Sequence, residues 1–227
     1  MEIGILGATG MIGGRVVEEA VDRGHRVTAF TRSAARIPAE AGVVRWEVTD
    51  PRDPGRLATD LAGLDVLVNA TNAGNGVAET ITNADAFPAI ARALLTAMES
   101  LPRLRLIVVG GAGSLEVAPG TRVVDVEGFA ENLPAALDVP ADYARAVLAG
   151  VEALALYRLS DRNWTYVSPS AGRVQAGKRT GRFRIGGDQL LVREDGTSDI
   201  SADDLAVAVL DEVELPRFVQ RRFTVGY

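Results

Sequence analysis

The 227-residue chain reads as an α/β protein on a doubly wound parallel sheet, the Rossmann architecture, and three features of its sequence point there. The first is its opening, in which an apolar run of Ile3, Ile5 and Leu6 enters the glycine turn Gly7-Ala-Thr-Gly10-Met-Ile-Gly13. The second is the alternation of strand-like and helix-like segments that follows. The third is a β-run, His25 to Ser33, that closes on Arg32.

Each element has its own signal. Residues 11 to 23 show helical periodicity, with Ile12, Val16, Val17, Ala20 and Val21 on one side and Arg15, Glu18, Glu19 and Asp22 on the other. Gly24 supplies a left-handed stop. Val27, Ala29 and Thr31 alternate as the second strand, Val43 to Val48 reads as a third and Leu64 to Asn69 as a fourth. One helix is expected near residues 79–98, with Pro88 kinking it or lying in its first turn. Leu104 to Val109 suits a central strand buried on both faces, Ala141 to Leu159 a helix, and Trp164 to Val167 a sixth strand.

Two segments break the alternation. Residues 110–140 carry Gly110, Gly111, Gly113, Pro119, Gly120, Pro134 and Pro140, which marks a long connection at the carboxyl end of a strand, where open α/β sheets bind ligands. Beyond Pro169, Gly181 to Val192 is expected to form a β-hairpin around Gly186-Gly187. Ser201 should cap a helix to Glu214, and Phe223 to Val225 should form a last strand. The whole chain is expected to be a single domain, 1–227, in which 170–227 contributes a smaller part covering the substrate side of the cleft.

The glycine turn carries the chemistry. Gly7 allows a sharp exit from the strand, Gly10 lets a pyrophosphate approach the main chain, and Gly13 lets the helix pack against the strand. The helix N-terminus then attracts the phosphates, its dipole contributing roughly 0.3–2 kcal/mol. At the end of the second strand an NAD enzyme usually places an acid for the ribose 2′-OH. This chain has Arg32 there, followed by Arg36, which favours the 2′-phosphate of NADP, so NADPH is expected over NADH.

Composition narrows the classes. A hydrophobic share of 47% and this length suit a packed core. A net charge of −6 argues against nucleic-acid binding, which needs a basic face. With one histidine, His25, and no cysteine, a His-rich metal site and a cysteine nucleophile are excluded, and no metal is expected. No apolar stretch of about 18 residues suggests a membrane span and no signal-like segment precedes the first strand, so the expected location is the cytoplasm. The oligomeric state stays open.

With these motifs the chain resembles an atypical short-chain dehydrogenase/reductase. It is similar in particular to the NAD(P)H-binding group of NADH-flavin reductases, biliverdin reductase B-like and NmrA-like proteins. Gly7-Ala-Thr-Gly10-Met-Ile-Gly13 is shared across the group, while Gly110-Gly-Ala-Gly-Ser114-Leu, Gly186-Gly-Asp-Gln-Leu-Leu-Val192 and Arg222-Phe-Thr-Val-Gly-Tyr227 look more like the bacterial flavin-reductase branch. The resemblance implies that Thr9, Met11 and Ile12 line the pyrophosphate turn and that Asp50 touches adenine. It puts Asn69, Ala70 and Thr71 by the ribose and Ser168 and Pro169 near the nicotinamide.

Two residues are candidates for the catalytic side. Better-known members use a Tyr with a Lys four residues on, which lowers the phenol pKa for proton exchange with a carbonyl oxygen. Here Tyr143 is followed at that spacing by Val147, and Arg145 falls elsewhere on the helix. Ser114, just after a central strand, is a possible hydrogen-bonding partner for substrate. The missing Lys suits reduction of a flavin, quinone or related conjugated small-molecule acceptor, which takes hydride directly and asks the protein chiefly to orient two rings. The alternatives are a carbonyl reductase, dehydrogenase or epimerase of a specialised pathway, and a dinucleotide redox sensor without turnover.

Overall fold

In the computed structural model, which describes residues 1–40 and 42–227, an eight-stranded sheet is flanked by helices on both faces. The first half contains β1 (Glu2–Leu6), α1 (Met11–Asp22), β2 (Arg26–Thr31), β3 (Arg45–Val48), α2 (Pro54–Asp60), β4 (Val66–Asn69), α3 (Val77–Thr82), α4 (Ala86–Ala97) and β5 (Arg105–Val109). The second contains β6 (Glu116–Ala118), β7 (Thr121–Arg122), α5 (Phe129–Leu137), α6 (Ala144–Arg158), β8 (Trp164–Pro169), β9 (Arg184–Gly186), α7 (Ala202–Glu214) and β10 (Arg221–Gly226). The strand order is β3-β2-β1-β4-β5-β8-β10-β9, with every pairing parallel except that of β9 on β10.

Side chains alternate across the strands, so each strand feeds two cores. Ile3, Ile5, Val66, Val68, Ile107 and Phe223 face α1 and α7, while Leu6, Leu67, Leu106, Val108 and Trp164 face the layer of α2, α4 and α6. The chain leaves β1 for β2 on one side and returns to β4 on the other. Their carboxyl ends therefore flank the topological switch point, where the peptide backbone leaves a crevice.

Polar ties fix the C-terminal elements to this frame. The buried Glu19 of α1 accepts from Arg23 at 2.8 Å and Arg179 at 2.6 Å, while Arg23 also reaches Asp211 and Glu214 of α7. The Arg179 hydrogen bonds hold the Glu19 carboxyl below its usual range against the upward push of burial. His25 lies on the same side, its Nε2 2.9 Å from Glu214, well clear of the crevice. Tyr227 donates its hydroxyl proton to Asp204 at 2.7 Å, tying the chain end to the first turn of α7, whose Ser201 cap accepts from the Asp204 N–H. Among the described residues, no helix is long and apolar enough to cross a membrane.

Three expectations need correction. The stretch 79–98 is two helices, α3 and α4, parted at 83–85, with Pro88 in the first turn of α4, where its missing N–H has no intrahelical role. Residues 110–140 are more structured than a loop and hold the β6–β7 ribbon and α5. Gly181 to Val192 forms no hairpin. The open edge of β10 takes β9 (Thr224 opposite Gly186, Val225 opposite Ile185), and residues after β9 are drawn to β6, where Glu116 N–H donates to the Asp188 carbonyl and Leu190 N–H to Glu116.

Candidate functional site

The site begins with the β1–α1 turn. Gly7 has φ of +76°, a left-handed conformation that favours glycine. A Cβ on Gly7 would stand 2.5 Å from the Ala70 carbonyl oxygen, and one on Gly13 only 2.1 Å from that of Gly7, so α1, β1 and β4 meet backbone to backbone. Gly10 differs. Its φ of −86° suits any residue, and the nearest atom to an added Cβ is the Gly7 oxygen at 3.2 Å. Gly10 is the N-cap of α1 and brings no side-chain acceptor, so the first N–H groups of the helix point unclaimed into the crevice. An anion fits there, and the dinucleotide pyrophosphate is such an anion.

From this turn a cleft of about 1230 Å³ runs across the carboxyl ends of β2, β1, β4, β5 and β8. Single-ligand pockets usually occupy about 300–1,000 Å³, so this one has space for more than one ring system. Gly7, Thr9, Gly10, Met11, Ile12, Arg32, Arg36, Asn69, Ala70, Thr71, Tyr143 and Pro169 all line it, which brings most of the sequence-derived site together. The Asn69 side-chain oxygen accepts from the Thr71 N–H at 3.2 Å and from its hydroxyl at 2.7 Å, fixing the turn after β4.

The two arginines at the β2 end differ in freedom. Arg36 donates to the Thr9 carbonyl at 3.1 Å and to Asn75 Oδ1 at 2.5 Å, strapping the glycine turn to the segment before α3. Arg32 is exposed and, among the described residues, has no ion-pair partner. Asp50, the nearby acid, is instead gripped by Arg52 through 3.1 and 2.9 Å hydrogen bonds, which hold its carboxyl below the usual range against burial.

Three sequence expectations shift. Asp50 faces a neighbouring hollow with Arg32 and Arg52, and Thr49 and Pro51 present themselves to the cleft instead. Ser168 is fully buried and donates to the Gly111 carbonyl at 2.9 Å, because on β8 its side chain is turned into the sheet connection rather than the cleft. Ser114 likewise faces inward. Its hydroxyl accepts from Arg222 Nη1 at 3.1 Å, and Arg222 also binds the Ser114 carbonyl and Asp188, so Ser114 positions a buried arginine and does not line the cleft. Gly13, as expected, lets the helix pack against the strand and lies outside the cleft wall.

The other end of the cleft is apolar. Phe129, Leu133, Ala136 and Leu137 present one face of α5 to it, joined by Val123, Val126 and Val147. Their spacing is helical, but Pro134 within α5 and the flanking glycines and prolines hid that helix in a stretch read as a connection. Three phenols stand along the inner wall, Tyr143, Tyr157 and Tyr166. Burial raises the Tyr143 pKa, with Arg173 opposing, and pushes Tyr166 up to about 12 and Tyr157 far above its usual range. All three are therefore protonated at neutral pH. Val147 fills the place where a lysine would lower the Tyr143 pKa, and Arg145 points away to Asp85 at 3.2 Å.

Comparison with known proteins agrees with this geometry. The model of the NAD(P)H-binding family matches residues 7–216. The chain belongs to that family. It is 37% identical over 229 residues to the uncharacterized protein YwnB of Bacillus subtilis strain 168, covering 99% of this chain and 98% of the relative. Among solved structures, a protein of Burkholderia pseudomallei proposed to be exported is 39% identical, with a TM-score of 0.83 and complete coverage of both chains. SP1627 of Streptococcus pneumoniae TIGR4, a proposed NADH-flavin reductase, is 27% identical with a TM-score of 0.81, covering 100% of this chain and 99% of the other.

The geometry separates a glycine required for binding from one required for folding. Gly10→Val should leave a folded protein whose branched side chain stands where a pyrophosphate must approach, removing measurable NADPH binding in calorimetry. Gly13→Val should destabilise the fold itself, because its Cβ would strike backbone. Undiminished NADPH affinity in the folded Gly10 variant would contradict the assignment.

Proposed function

We propose that the protein is an NADPH-preferring oxidoreductase that passes hydride to a flavin, quinone or related conjugated acceptor. The observation that carries this reading is one continuous cleft with the free N–H groups of the glycine turn at one end and an apolar chamber at the other, and Val147 rather than a lysine four residues after Tyr143. When bound, NADPH supplies a hydride with its two electrons to the acceptor ring and is left as NADP⁺, water making up any proton balance.

The protein's share is placement. The N–H groups at the start of α1 hold the pyrophosphate, and Asn69, Ala70 and Thr71 face the ribose side. Pro169 and the backbone of Gly110 and Gly111 border the chamber where the two rings would meet. The α5 face excludes water and presses the acceptor ring flat, and orientation of this kind is a large share of the rate available to a bimolecular transfer. Arg32, left free because Arg52 occupies Asp50, binds the 2′-phosphate. Dependence on a reduced dinucleotide fits a cytoplasmic enzyme.

Tyr143 favours a second reading, carbonyl reduction, because its protonated phenol lines the chamber and can donate a proton. Two measurements decide these points. Arg32→Asp should lower the ratio of NADPH to NADH affinity by about tenfold or more, as expected for loss of one charge-assisted contact. An unchanged ratio would remove the NADPH preference from Arg32. With flavins and quinones as acceptors, Tyr143→Phe should change NADPH oxidation only slightly. A fall of about 10²–10⁴ in kcat with KM preserved, the usual contribution of a positioned acid, would put carbonyl reduction first.

A further inference from the structure

The charges along the cleft are unevenly placed. Among the described residues, the charged side chains lining it are Arg32, Arg36 and Glu79 at the dinucleotide end and Arg173 alone at the other. Arg36 is occupied by Thr9 and Asn75, and Glu79 accepts from the Asn75 N–H at 2.9 Å, so these two serve the wall itself. The strand order puts three strands between the ends of β2 and β8, which at the usual spacing separates those strand ends, after which Arg32 and Arg173 follow, by about 19 Å.

Arg173 also differs from its own neighbours. Of the cationic residues at 173–184, Arg179 is paired with Glu19, Arg184 donates to the Val192 and Tyr227 carbonyls, and Lys178 and Arg182 lie outside the cleft, whereas Arg173 is exposed, lines the chamber, and has no ion-pair partner among the described residues. The apolar face of α5 lines the same cleft. A ligand that satisfies both must offer a broad apolar surface and one negative group beyond its edge.

We propose that the acceptor is a flat conjugated ring carrying a pendant phosphate, and that Arg173 is the residue that recognises this phosphate. The proposal rests on the acceptor chamber assigned above and names the class of molecule that fills it. Arg173 sits at the mouth, so the ring enters first and the phosphate stays at the solvent edge, where a guanidinium can bind it in a forked geometry without full desolvation. Arg173 is also close enough to Tyr143 for its charge to oppose the rise of that phenol's pKa.

Riboflavin and flavin mononucleotide share one ring and differ by the phosphate, so they isolate the contact. Binding of each is measured by quenching of flavin fluorescence, with saturating NADP⁺ present to fill the dinucleotide end. Wild-type protein should bind flavin mononucleotide about tenfold or more tightly than riboflavin, and Arg173→Gln should bring the mononucleotide to the riboflavin level while leaving riboflavin unchanged. Equal affinities in the wild type, an unaltered ratio in the variant, or binding of neither flavin would overturn the proposal. The expected ratio without NADPH oxidation would leave Arg173 in this role and would sink the reductase reading instead.

Discussion

The contact between Gly13 and the carbonyl of Gly7 sets the position of everything that follows in the cleft. With 2.1 Å available to a Cβ, only glycine lets α1 come this close to β1, and the approach aims the helix N-terminus at the crevice between β1 and β4. A helix displaced outward by a single methyl group would carry its free N–H groups away from that crevice. The anion site is thus a consequence of packing, since the same backbone contact that closes the core leaves the polar groups with no partner of their own.

Around this turn the protein separates fixed charge from free charge. Glu19, Arg23, Asp211 and Glu214 are consumed in joining α1 to α7, Arg179 in tying the segment before β9 to Glu19, and Arg222 in joining Ser114 and Asp188. Arg52 forms the ion pair with Asp50, and Arg32 beside them has no ion-pair partner among the described residues. Among the described residues, Arg32 and Arg173 line the cleft without an ion-pair partner. An acidic chain with a net charge of −6 therefore still offers local cationic points to an anionic ligand.

The fold was legible because its signals are local: apolar alternation in β1, β2, β4 and β5, helical periodicity in α1, and a capping Ser201 each act within a few residues. The glycine turn between β1 and α1 was legible for the same reason. The apolar end of the cleft was not, because α5 carries Pro134 between two glycine- and proline-rich stretches, and its apolar face has meaning only once the fold brings it to the cleft. Ser114 and Ser168 were assigned from neighbouring motifs, and which way a side chain turns after a strand depends on partners distant in sequence, here Arg222 and Gly111. The expected hairpin at Gly186-Gly187 failed likewise, because the free edge of β10 competes for β9 and wins.

The central claim is that one cleft holds both rings face to face, so that hydride passes directly and from one face of the nicotinamide. NADPH deuterated separately at the two diastereotopic C4 positions, used in anaerobic single-turnover reduction of flavin mononucleotide, tests this most directly. The account predicts a primary isotope effect with one label and none with the other. Equal rates for both labels and unlabelled NADPH, or equal effects from both, would contradict direct transfer from a fixed orientation.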